Sequence, residues 1–501
     1  MKKVNNKTYV LTKTLITSGL QCEKKLWYDF HNPEKIEETP TLFAGNRFGK
    51  IIREYYGSGL DLSNLSSSED IVEQTAKAIQ SKDVHTIYEA AFIYRETLIR
   101  TDVLRRKGNG WEILEAKSSK ELKESHIPDV AIQSFIVKAA GLKVTSIKLL
   151  LVNNNFIYQG DDNYKELIKE VDIINEVTEK EKDVENYITQ FRPLEKDKKI
   201  CPKIDIGDHC KKPYPCIYFL RCSSKSLKEN LVSYEILPNI SRKKNIKEFI
   251  KKNNIKNIQD IPESLLNPSQ IIVQKAHKEN KEYFNHELTK KIKKYKWPFY
   301  FMDFETIQQL VPKIKGTRPY EVVPFQWSVH KWEFIDKPIK ITDNESFLEF
   351  TDMNIERKFI EKLLKVLGKE GTIFSHNAPT ENSVLKRLRE KESCKDLSRD
   401  IDHVLSRIVD TLPLAREYYY NPKMMGQYGI KKIIKSIPSD VSYEKEGDIA
   451  GGMGAQLSWF KCTEPNASIA EIEKQRTLLI NYCANDTFAM YDLIKYWIKK
   501  N

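Results

Sequence analysis

The segment from Phe301 to Thr306, with the sequence FMDFET, constrains the fold of this chain more than any other. The apolar run from Trp297 to Met302 predicts a buried strand, and Asp303 and Glu305 then share one face because side chains alternate along a strand. Two carboxylates held together at the end of a buried strand repel each other unless a cation lies between them. Hard divalent ions such as Mg²⁺ or Mn²⁺ suit an oxygen-only site of this kind. A solvated strand end is the alternative.

The composition favours a globular protein with a polyanionic partner. A length of 501 residues is enough for two or three domains. The formal net charge of +12 favours attraction to the backbone of DNA or RNA, and a Lys-rich composition without such a partner is the alternative. The sequence shows no signal-peptide pattern and no apolar run of membrane-spanning length, so we expect a cytoplasmic protein. Its eight cysteines are then expected as free thiols or metal ligands.

The amino-terminal third predicts helices followed by a strand hairpin. Helices are predicted at 11–28 and, after two glycines, at 51–56, and strands at 88–92, 97–104 and 111–117. A Gly-containing turn at 107–110 makes the last two strands a hairpin, which brings Asp102 beside Glu115 and Lys117. These three charges are costly to bury unless they serve a function.

An aspartate followed on the next strand by Glu-x-Lys resembles the active-site pattern of the PD-(D/E)XK nucleases. The resemblance implies that Asp102 and Glu115 hold a divalent metal ion. It implies that Lys117 orients the attacking water and stabilises charge on the phosphate.

One further residue of this region resembles the RecB-type members of that family. Gln133, on a helix predicted from Asp129 to Ala140, stands where those members have a glutamine that contacts the site. Val137 takes the place of their frequent tyrosine, and their histidine on an earlier helix is missing. Glu89 is predicted as a further carboxylate ligand instead.

Half of the cysteines lie close together, at Cys201, Cys210, Cys216 and Cys222, in a Pro-rich segment. Such clustering favours a metal, either zinc or a [4Fe–4S] cluster held by four thiolates, with buried thiols as the remaining alternative. RecB-type nucleases of the AddB and CRISPR-adaptation kinds have one cysteine near the start and three after the nuclease core. Cys22 with Cys210, Cys216 and Cys222 resembles that arrangement, which implies a [4Fe–4S] cluster on these four and leaves Cys201 spare.

Residues 224–296 are Lys-rich and helical in pattern, with an apolar stripe that includes Ile246, Phe249 and Ile250. The stretch 255–262 resembles compact helical turns that grip nucleic-acid backbones. A helical linker with a solvated basic face is the alternative.

After the acidic strand, the pattern alternates between strands and helices. Strands are predicted at 324–330, 372–377 and 408–412, and helices at 356–367 and across 479–486. Glu381 lies at the start of a helix, and Tyr482 and Asp486 lie four residues apart on one helix face. The isolated Cys394, Cys462 and Cys483 are expected in the core.

This order of residues resembles the DEDD exonucleases of the DnaQ type, in their tyrosine version. The resemblance implies an RNase H-like fold and a two-metal site on Asp303, Glu305, Glu381 and Asp486. Tyr482 would position the attacking water. The family has an aspartate where this chain has Glu381, and Asp410 is the alternative ligand.

Nearly the whole chain resembles a bacterial domain-of-unknown-function family that fuses these two nuclease types. The resemblance rests on short stretches: 11–13 with Gly19, 22–27, 208–222, 301–307, 318–320, 324–330, 426–431 and 482–490.

Together these patterns predict an α/β protein with three segments. They are a PD-(D/E)XK restriction-endonuclease-like domain at 1–223, a helical basic connecting region at 224–296 and an RNase H-like exonuclease domain at 297–501. The predicted activity is metal-dependent cleavage of single-stranded nucleic acid or its ends at two sites. A nucleic-acid-binding scaffold with vestigial sites is the alternative. The tyrosines at 418–420 are expected either to stack on bases or, more in keeping with the pattern, to pack in the core.

Overall fold

The computed structural model describes residues 3–4, 7–8, 10–35, 38–223, 232–240, 243–350, 354–443, 449 and 451–500. These residues form a mixed α/β protein with several sheets. The chain divides into two compact units, residues 1–225 with 309–320 and residues 226–308 with 321–501. None of the described helices is both long and apolar enough to cross a lipid bilayer.

The first unit contains a large twisted sheet with helices packed on it. The strands of this unit are β1 (Lys3–Val4), β2 (Lys7–Thr8), β3 (Leu11–Thr12), β4 (Leu60–Asp61), β5 (Thr86–Tyr94), β6 (Thr97–Lys107), β7 (Gly110–Ala116), β8 (Val144–Val152) and β9 (Ile168–Asp172), of which β1 and β2 form a separate two-stranded sheet. Its helices are α1 (Lys13–Gln21), α2 (Glu23–His31), α3 (Pro40–Tyr56), α4 (Ser68–Gln80), α5 (His126–Ala139), α6 (Ile174–Lys180), α7 (Val184–Phe191), α8 (Pro193–Lys196) and α9 (Phe219–Ser223).

The sheet of the first unit has the order β4-β5-β6-β7-β8-β9, and β3 pairs with the start of β6. Strands β5, β6 and β7 are antiparallel neighbours, whereas β7 and β8 are parallel and are joined through α5. A parallel pair needs such a crossover, and α5 buries Val130, Ile136 and Val137 against the sheet. The predicted strands and the Asp129–Ala140 helix are therefore confirmed, with slightly wider bounds.

Two helix predictions in the first unit were wrong in their bounds. The segment 11–28 forms the short strand β3 and two helices, because the backbone at Cys22 is extended, with φ −169° and ψ 123°. The glycines Gly45 and Gly49 lie inside α3, which starts at Pro40 after the Thr39 cap. Local periodicity could not show the break at Cys22, since apolar residues continue on both sides of it.

The second unit has a five-stranded sheet covered by helices. Its helices are α10 (Lys244–Lys252), α11 (Pro268–Glu279), α12 (Glu287–Ile292), α13 (Ile355–Leu367), α14 (Pro379–Glu390), α15 (Ser398–Arg407), α16 (Thr411–Tyr418), α17 (Ile430–Ile434), α18 (Gly452–Cys462) and α19 (Ile469–Lys499). The strands of the second unit are β10 (Tyr283–Phe284), β11 (Phe299–Gln308), β12 (Val322–Trp332), β13 (Asn344–Leu348), β14 (Thr372–Ser375), β15 (Ile408–Asp410) and β16 (Tyr419–Tyr420).

The five-stranded sheet has the order β13-β12-β11-β14-β15. The pairs β11–β12 and β12–β13 are antiparallel, and the pairs β11–β14 and β14–β15 are parallel. The central strand β11 is buried on both sides over its apolar half, with Phe299, Phe301 and Met302 at 0 to 1% exposure. The ends of β11, β14 and β15 therefore meet at one edge of the sheet, where the polar residues follow the apolar runs.

The unit boundaries differ from the three predicted segments. In the described part of 226–296, apolar residues such as Ile246, Ile258 and Val273 belong to the same core as Phe299 and Phe374. This region is thus part of the second unit and contributes to its core. Residues 309–320, which follow β11 in the chain, belong to the first unit, where Leu310 and Val311 are buried in its core.

Two aromatic side chains and one acidic side chain of the second unit have structural roles. Tyr419 and Tyr420 are fully buried in strand β16, so they are core residues and offer no stacking surface for bases. Strand β15 ends at Asp410, whose Oδ1 accepts the Leu412 backbone N–H at 2.9 Å and caps α16. The predicted strand at 408–412 is accordingly three residues long.

The close approach at Gly426 gives a test of how the 226–296 region packs. Gly426 has φ +74°, and a Cβ there would lie 2.0 Å from the backbone oxygen of Ile236. Gly426→Ala should therefore lower the free energy of unfolding of the second unit by about 3 kcal/mol. Gly429→Ala, at a position with φ −67° and no described atom within 4 Å of the added Cβ, should cost at most about 1 kcal/mol. Denaturant unfolding measures both, and equal losses would contradict this packing.

Candidate active sites

Three carboxylates of the second unit form a compact group. Among the described residues, one group of three or more acidic, Cys or His side chains has its ligand atoms all within 4.8 Å of one another. It consists of Asp303, Glu305 and Asp486. Glu305 and Asp486 are each 7% exposed, and Asp486 Oδ1 is buried without a hydrogen-bond partner in the described part of the chain. A buried orphan oxygen beside two further carboxylates is an arrangement that a cation would satisfy.

Two local rules bring these carboxylates together. Asp303 and Glu305 alternate on β11, and Tyr482 and Asp486 follow the four-residue spacing of α19. Helix α19 is fixed against β12 by buried polar contacts. Gln326 Nε2 donates to the Leu479 carbonyl at 2.7 Å, and Thr487 Oγ1 lies 2.9 Å from His330 Nδ1.

The pKa values of the three carboxylates show that it is unfavourable to bring like charges together away from water. Burial and the neighbouring Asp486 raise the pKa of Asp303 well above its usual value, and the same two causes raise that of Glu305 to about 8. Burial also raises the pKa of Asp486, although Lys431 opposes the shift. Without a cation the group therefore retains protons near neutral pH.

The fourth predicted ligand lies beside the compact group. Glu381 is in the first turn of α14 and is 4% exposed, and burial followed by smaller effects, including the neighbouring Asp410, raises its pKa to about 7. The charge of Glu381 contributes to the raised pKa values of Asp303 and Glu305. Glu381 is not one of the three residues whose ligand atoms lie within 4.8 Å of one another. Asp410 Oδ1 is already engaged by the backbone N–H groups of Asn377 and Leu412, so Glu381 is the better placed of the two.

Sequence reasoning missed two side chains of this site. Lys431, on α17, places its Nζ 4.1 Å from the ring centroid of Tyr482 and 4.4 Å from that of Tyr443. Cys483, expected only as a core residue, is buried with its Sγ 3.8 Å from Asp303 Oδ2. Cys483 could have been found from its spacing of three residues to Asp486 on the same helix, whereas the placement of Lys431 depends on tertiary packing.

In the first unit the structure brings Asp102, Glu115 and Lys117 together as predicted. Asp102 Oδ2 accepts the backbone N–H of Ala116 at 2.7 Å, and Lys117 Nζ donates to Glu115 Oε1 at 2.8 Å. Strand β7 ends at Ala116, so Lys117 follows the strand directly. Burial and the charge of Glu115 raise the pKa of Asp102 to about 7. Burial alone would raise the pKa of Glu115 as well, but Lys117 and Lys13 hold it well below its usual range.

Two partners in this site came from outside the predicted motif. Lys13, the first residue of α1, donates to Glu115 Oε1 at 2.8 Å, and Asp129, on α5, forms an ion pair with Lys117. Lys13 and Glu115 are 102 residues apart in the chain. Their contact follows from the pairing of β3 with β6, which no local pattern reveals.

Glu89 and Gln133 lie in unusual environments in the first unit. Glu89 has φ +58°, and the β5–β6 pairing skips it together with Asp102. Burial raises the pKa of Glu89, and the charge of Glu115 adds to the shift. Gln133 is fully buried, and within the described residues neither its Nε2 nor its Oε1 has a hydrogen-bond partner. Strained backbone and unsatisfied polar atoms of this kind mark candidate binding positions.

The four cysteines predicted to act together line one cavity. Cys22, Cys210, Cys216 and Cys222 are all among its lining residues, and Cys201 is not. Hydrogen bonds join the two parts of the chain that supply them, since Gln21 Nε2 donates to the carbonyls of His209 and Tyr214 at 2.9 and 2.7 Å. Cys394, Cys462 and Cys483 are buried, as expected.

Comparison with known families gives a partial match. A family model described as "Domain of unknown function (DUF2779)" matches residues 300–429, which include Asp303, Glu305 and Glu381. This agrees with the predicted resemblance to a domain-of-unknown-function family over that part of the chain. No curated protein matches the chain.

The raised pKa of Glu305 predicts how the stability of the metal-free protein depends on pH. The folded state keeps a proton on Glu305 up to about pH 8, whereas an ordinary glutamate releases it near 4.5. The folded state thus binds more protons in this window, and the free energy of unfolding should fall as the pH rises from about 4.5 to 8.

Denaturant unfolding in the presence of a chelator measures this slope. Glu305→Gln should reduce it, because the amide does not titrate. Glu279→Gln, at an exposed position of α11, should leave it unchanged. Stability that rises with pH through the window, or an unchanged slope in Glu305→Gln, would contradict the assignment.

Proposed function

We propose that the protein is a metal-dependent nuclease that hydrolyses phosphodiester bonds of single-stranded nucleic acid or strand ends at two sites. The proposal rests mainly on the compact group of Asp303, Glu305 and Asp486, whose ligand atoms lie within 4.8 Å of one another. Three adjacent carboxylates with raised pKa values, two of them buried and Asp303 partly buried, are costly for the fold, and a divalent cation would remove that cost. The net charge of +12 supports a nucleic-acid substrate.

In the second unit, Asp303, Glu305 and Asp486 would bind the metal, with Glu381 as the neighbouring carboxylate for a second ion. Divalent ions bound there would activate water and neutralise charge on the phosphate. Burial and the nearby carboxylates raise the pKa of Tyr482 far above its usual value, so its hydroxyl stays protonated. Tyr482 can therefore donate a hydrogen bond that orients the attacking water or the phosphate.

In the first unit, Asp102 and Glu115 would hold the cation, with Glu89 as a further carboxylate. The Glu115 and Asp129 carboxylates outweigh burial and raise the pKa of Lys117, so Lys117 is a permanent cation. A fixed ammonium at this position stabilises negative charge on the phosphate. The orphan amide of Gln133 offers a donor and an acceptor to water or substrate.

The sheet topologies support the predicted domain types. The order β13-β12-β11-β14-β15, with β12 antiparallel to its neighbours, is the order expected of an RNase H-like domain. In the first unit, an antiparallel meander followed by a helical crossover to a parallel strand is the core expected of a PD-(D/E)XK domain. Asp303 and Glu305 lie on the central strand β11 of the second unit, and Asp102 and Glu115 lie on the neighbouring strands β6 and β7 of the first.

The cysteine cavity supports a [4Fe–4S] cluster held by Cys22, Cys210, Cys216 and Cys222. In a tetrahedral zinc site, thiolate sulfurs lie about 3.8 Å apart, given Zn–S bonds of about 2.3 Å. No three of the described cysteines have sulfurs within 4.8 Å of one another, although four line the same cavity. That wider spacing suits a multi-iron cluster better than one zinc ion.

Degradation of end-labelled single-stranded DNA and RNA in Mn²⁺ tests the proposed activity. Asp303→Ala and Lys117→Ala should each remove a distinct set of products by at least about 100-fold, and the double variant should be inactive, because each loses charge stabilisation at its own site. The controls Asp400→Ala and Lys50→Ala change exposed residues of α15 and α3 and should behave as wild type. Equal degradation by wild type and double variant would favour a nucleic-acid-binding scaffold instead.

Visible absorption of protein purified without oxygen tests the cluster. Cys22→Ser and Cys216→Ser should abolish the absorption, because each removes one thiolate ligand. Cys201→Ser is the matched control, since Cys201 is in the same segment but does not line the cavity. A colourless protein that contains one equivalent of zinc would contradict the cluster assignment.

A further inference from the structure

Two lysines converge on a single oxygen in the first unit. Lys13 Nζ and Lys117 Nζ each lie 2.8 Å from Glu115 Oε1. Lys13 Nζ is also 3.7 Å from Asp129 Oδ2. The two ammonium groups therefore face two carboxylates, Glu115 and Asp129, and both bind the same oxygen of Glu115.

The other side of the same carboxylate is unsatisfied. Glu115 Oε2 is buried and has no hydrogen-bond partner among the described residues, and both amide atoms of Gln133 are in the same state. Buried polar atoms without partners are rare in folded proteins, and an unpaired carboxylate oxygen in particular is suited to a cation. The lysines therefore hold Glu115 by Oε1 and leave Oε2 available to a cation.

The exposure of the three side chains shows from which side a ligand can reach them. The side chains of Lys13 and Lys117 are 21% and 22% exposed, whereas that of Glu115 is 3% exposed. The glutamate is thus enclosed, while both lysine side chains keep a surface open to solvent. A phosphate that approaches this surface would meet two positive charges.

We propose that Lys13 is a second catalytic lysine of the first site, which contacts a non-bridging oxygen of the scissile phosphate. This inference rests on the nuclease function proposed above. Lys13 then binds the phosphate, and Lys117 beside it orients the attacking water and stabilises the charge that develops on the phosphate. Glu115 Oε2 and Asp102 remain for the divalent cation.

The two roles of Lys13 predict opposite effects of removing it. Its positive charge competes with a divalent cation for the charge of Glu115, so its loss should tighten Mn²⁺ binding at this site. Its loss also removes a contact to the phosphate, so cleavage should slow. A residue with a purely structural role would weaken both properties together.

The experiment compares Lys13→Met with a matched control, Lys107→Met, in the Asp303→Ala background, which silences the second site. Lys107 Nζ lies 2.6 Å from Glu112, a buried glutamate three residues before Glu115 and so on the opposite face of β7. Each variant removes one of the cationic partners of a buried glutamate. Dissociation constants for Mn²⁺ and kcat/KM for single-stranded substrate are measured for both.

Lys13→Met should lower kcat/KM by at least about 30-fold and tighten Mn²⁺ binding several-fold. Lys107→Met should change neither property. Lys13→Arg keeps the positive charge and should retain a tenth or more of the kcat/KM. Lys13→Gln keeps a polar side chain without the charge and should retain less than a tenth. If Lys13→Met fails to fold, the comparison of Arg with Gln decides the question.

Two failures are distinguishable. If Lys13→Met and Lys107→Met behave alike, or if Lys13→Gln retains as much activity as Lys13→Arg, the inference about Lys13 is overturned. The nuclease proposal for this site then still stands, provided that Lys117→Ala and Asp102→Ala in the same background are inactive. If those two variants are as active as their parent, the proposed function of the site fails and the inference with it.

Discussion

The repulsion between Asp303, Glu305 and Asp486 is the constraint on which the candidate chemistry of the second unit depends. Three carboxylates within 4.8 Å, two of them 7% exposed, cannot all be ionised without a cation. The fold holds them there through the central strand β11 and the long helix α19, which is fixed to the neighbouring strand β12 by buried hydrogen bonds such as Gln326 to Leu479. The raised pKa values of Asp303 and Glu305 result from their burial and from the neighbouring carboxylates.

The first unit meets the same electrostatic problem in another way. There, Lys13 and Lys117 neutralise Glu115 and keep it ionised, while burial and the charge of Glu115 raise the pKa of Asp102 to about 7. The two candidate sites therefore differ before any cation binds. The carboxylates of the second unit retain protons, whereas Glu115 of the first unit is paired with two ammonium groups. A cation at the second site displaces protons, whereas a cation at the first site must be accepted beside fixed positive charge.

Local rules predicted which neighbouring residues share a face. The alternation on β11 paired Asp303 with Glu305, the four-residue spacing on α19 paired Tyr482 with Asp486, and the hairpin turn placed Asp102 beside Glu115. The grouping of the first two pairs into one site came from a family resemblance. The cysteines that line the cavity were found from a family resemblance. Contacts between distant segments were not predictable, such as Lys13 with Glu115 or Lys431 with Tyr482. The extended backbone at Cys22 and the inclusion of 309–320 in the first unit also depend on tertiary packing.

Direct Mn²⁺ binding, followed by the electron paramagnetic resonance of the free ion at about pH 8, tests the central claim most directly. The tightest Mn²⁺ of the wild type should be lost in Asp303→Asn and in Asp486→Asn, because both remove a carboxylate from the compact group. Asp410→Asn is the matched control, since Asp410 caps α16 and an asparagine can cap equally well. Unchanged binding in Asp303→Asn, or an equal loss in Asp410→Asn, would contradict the account.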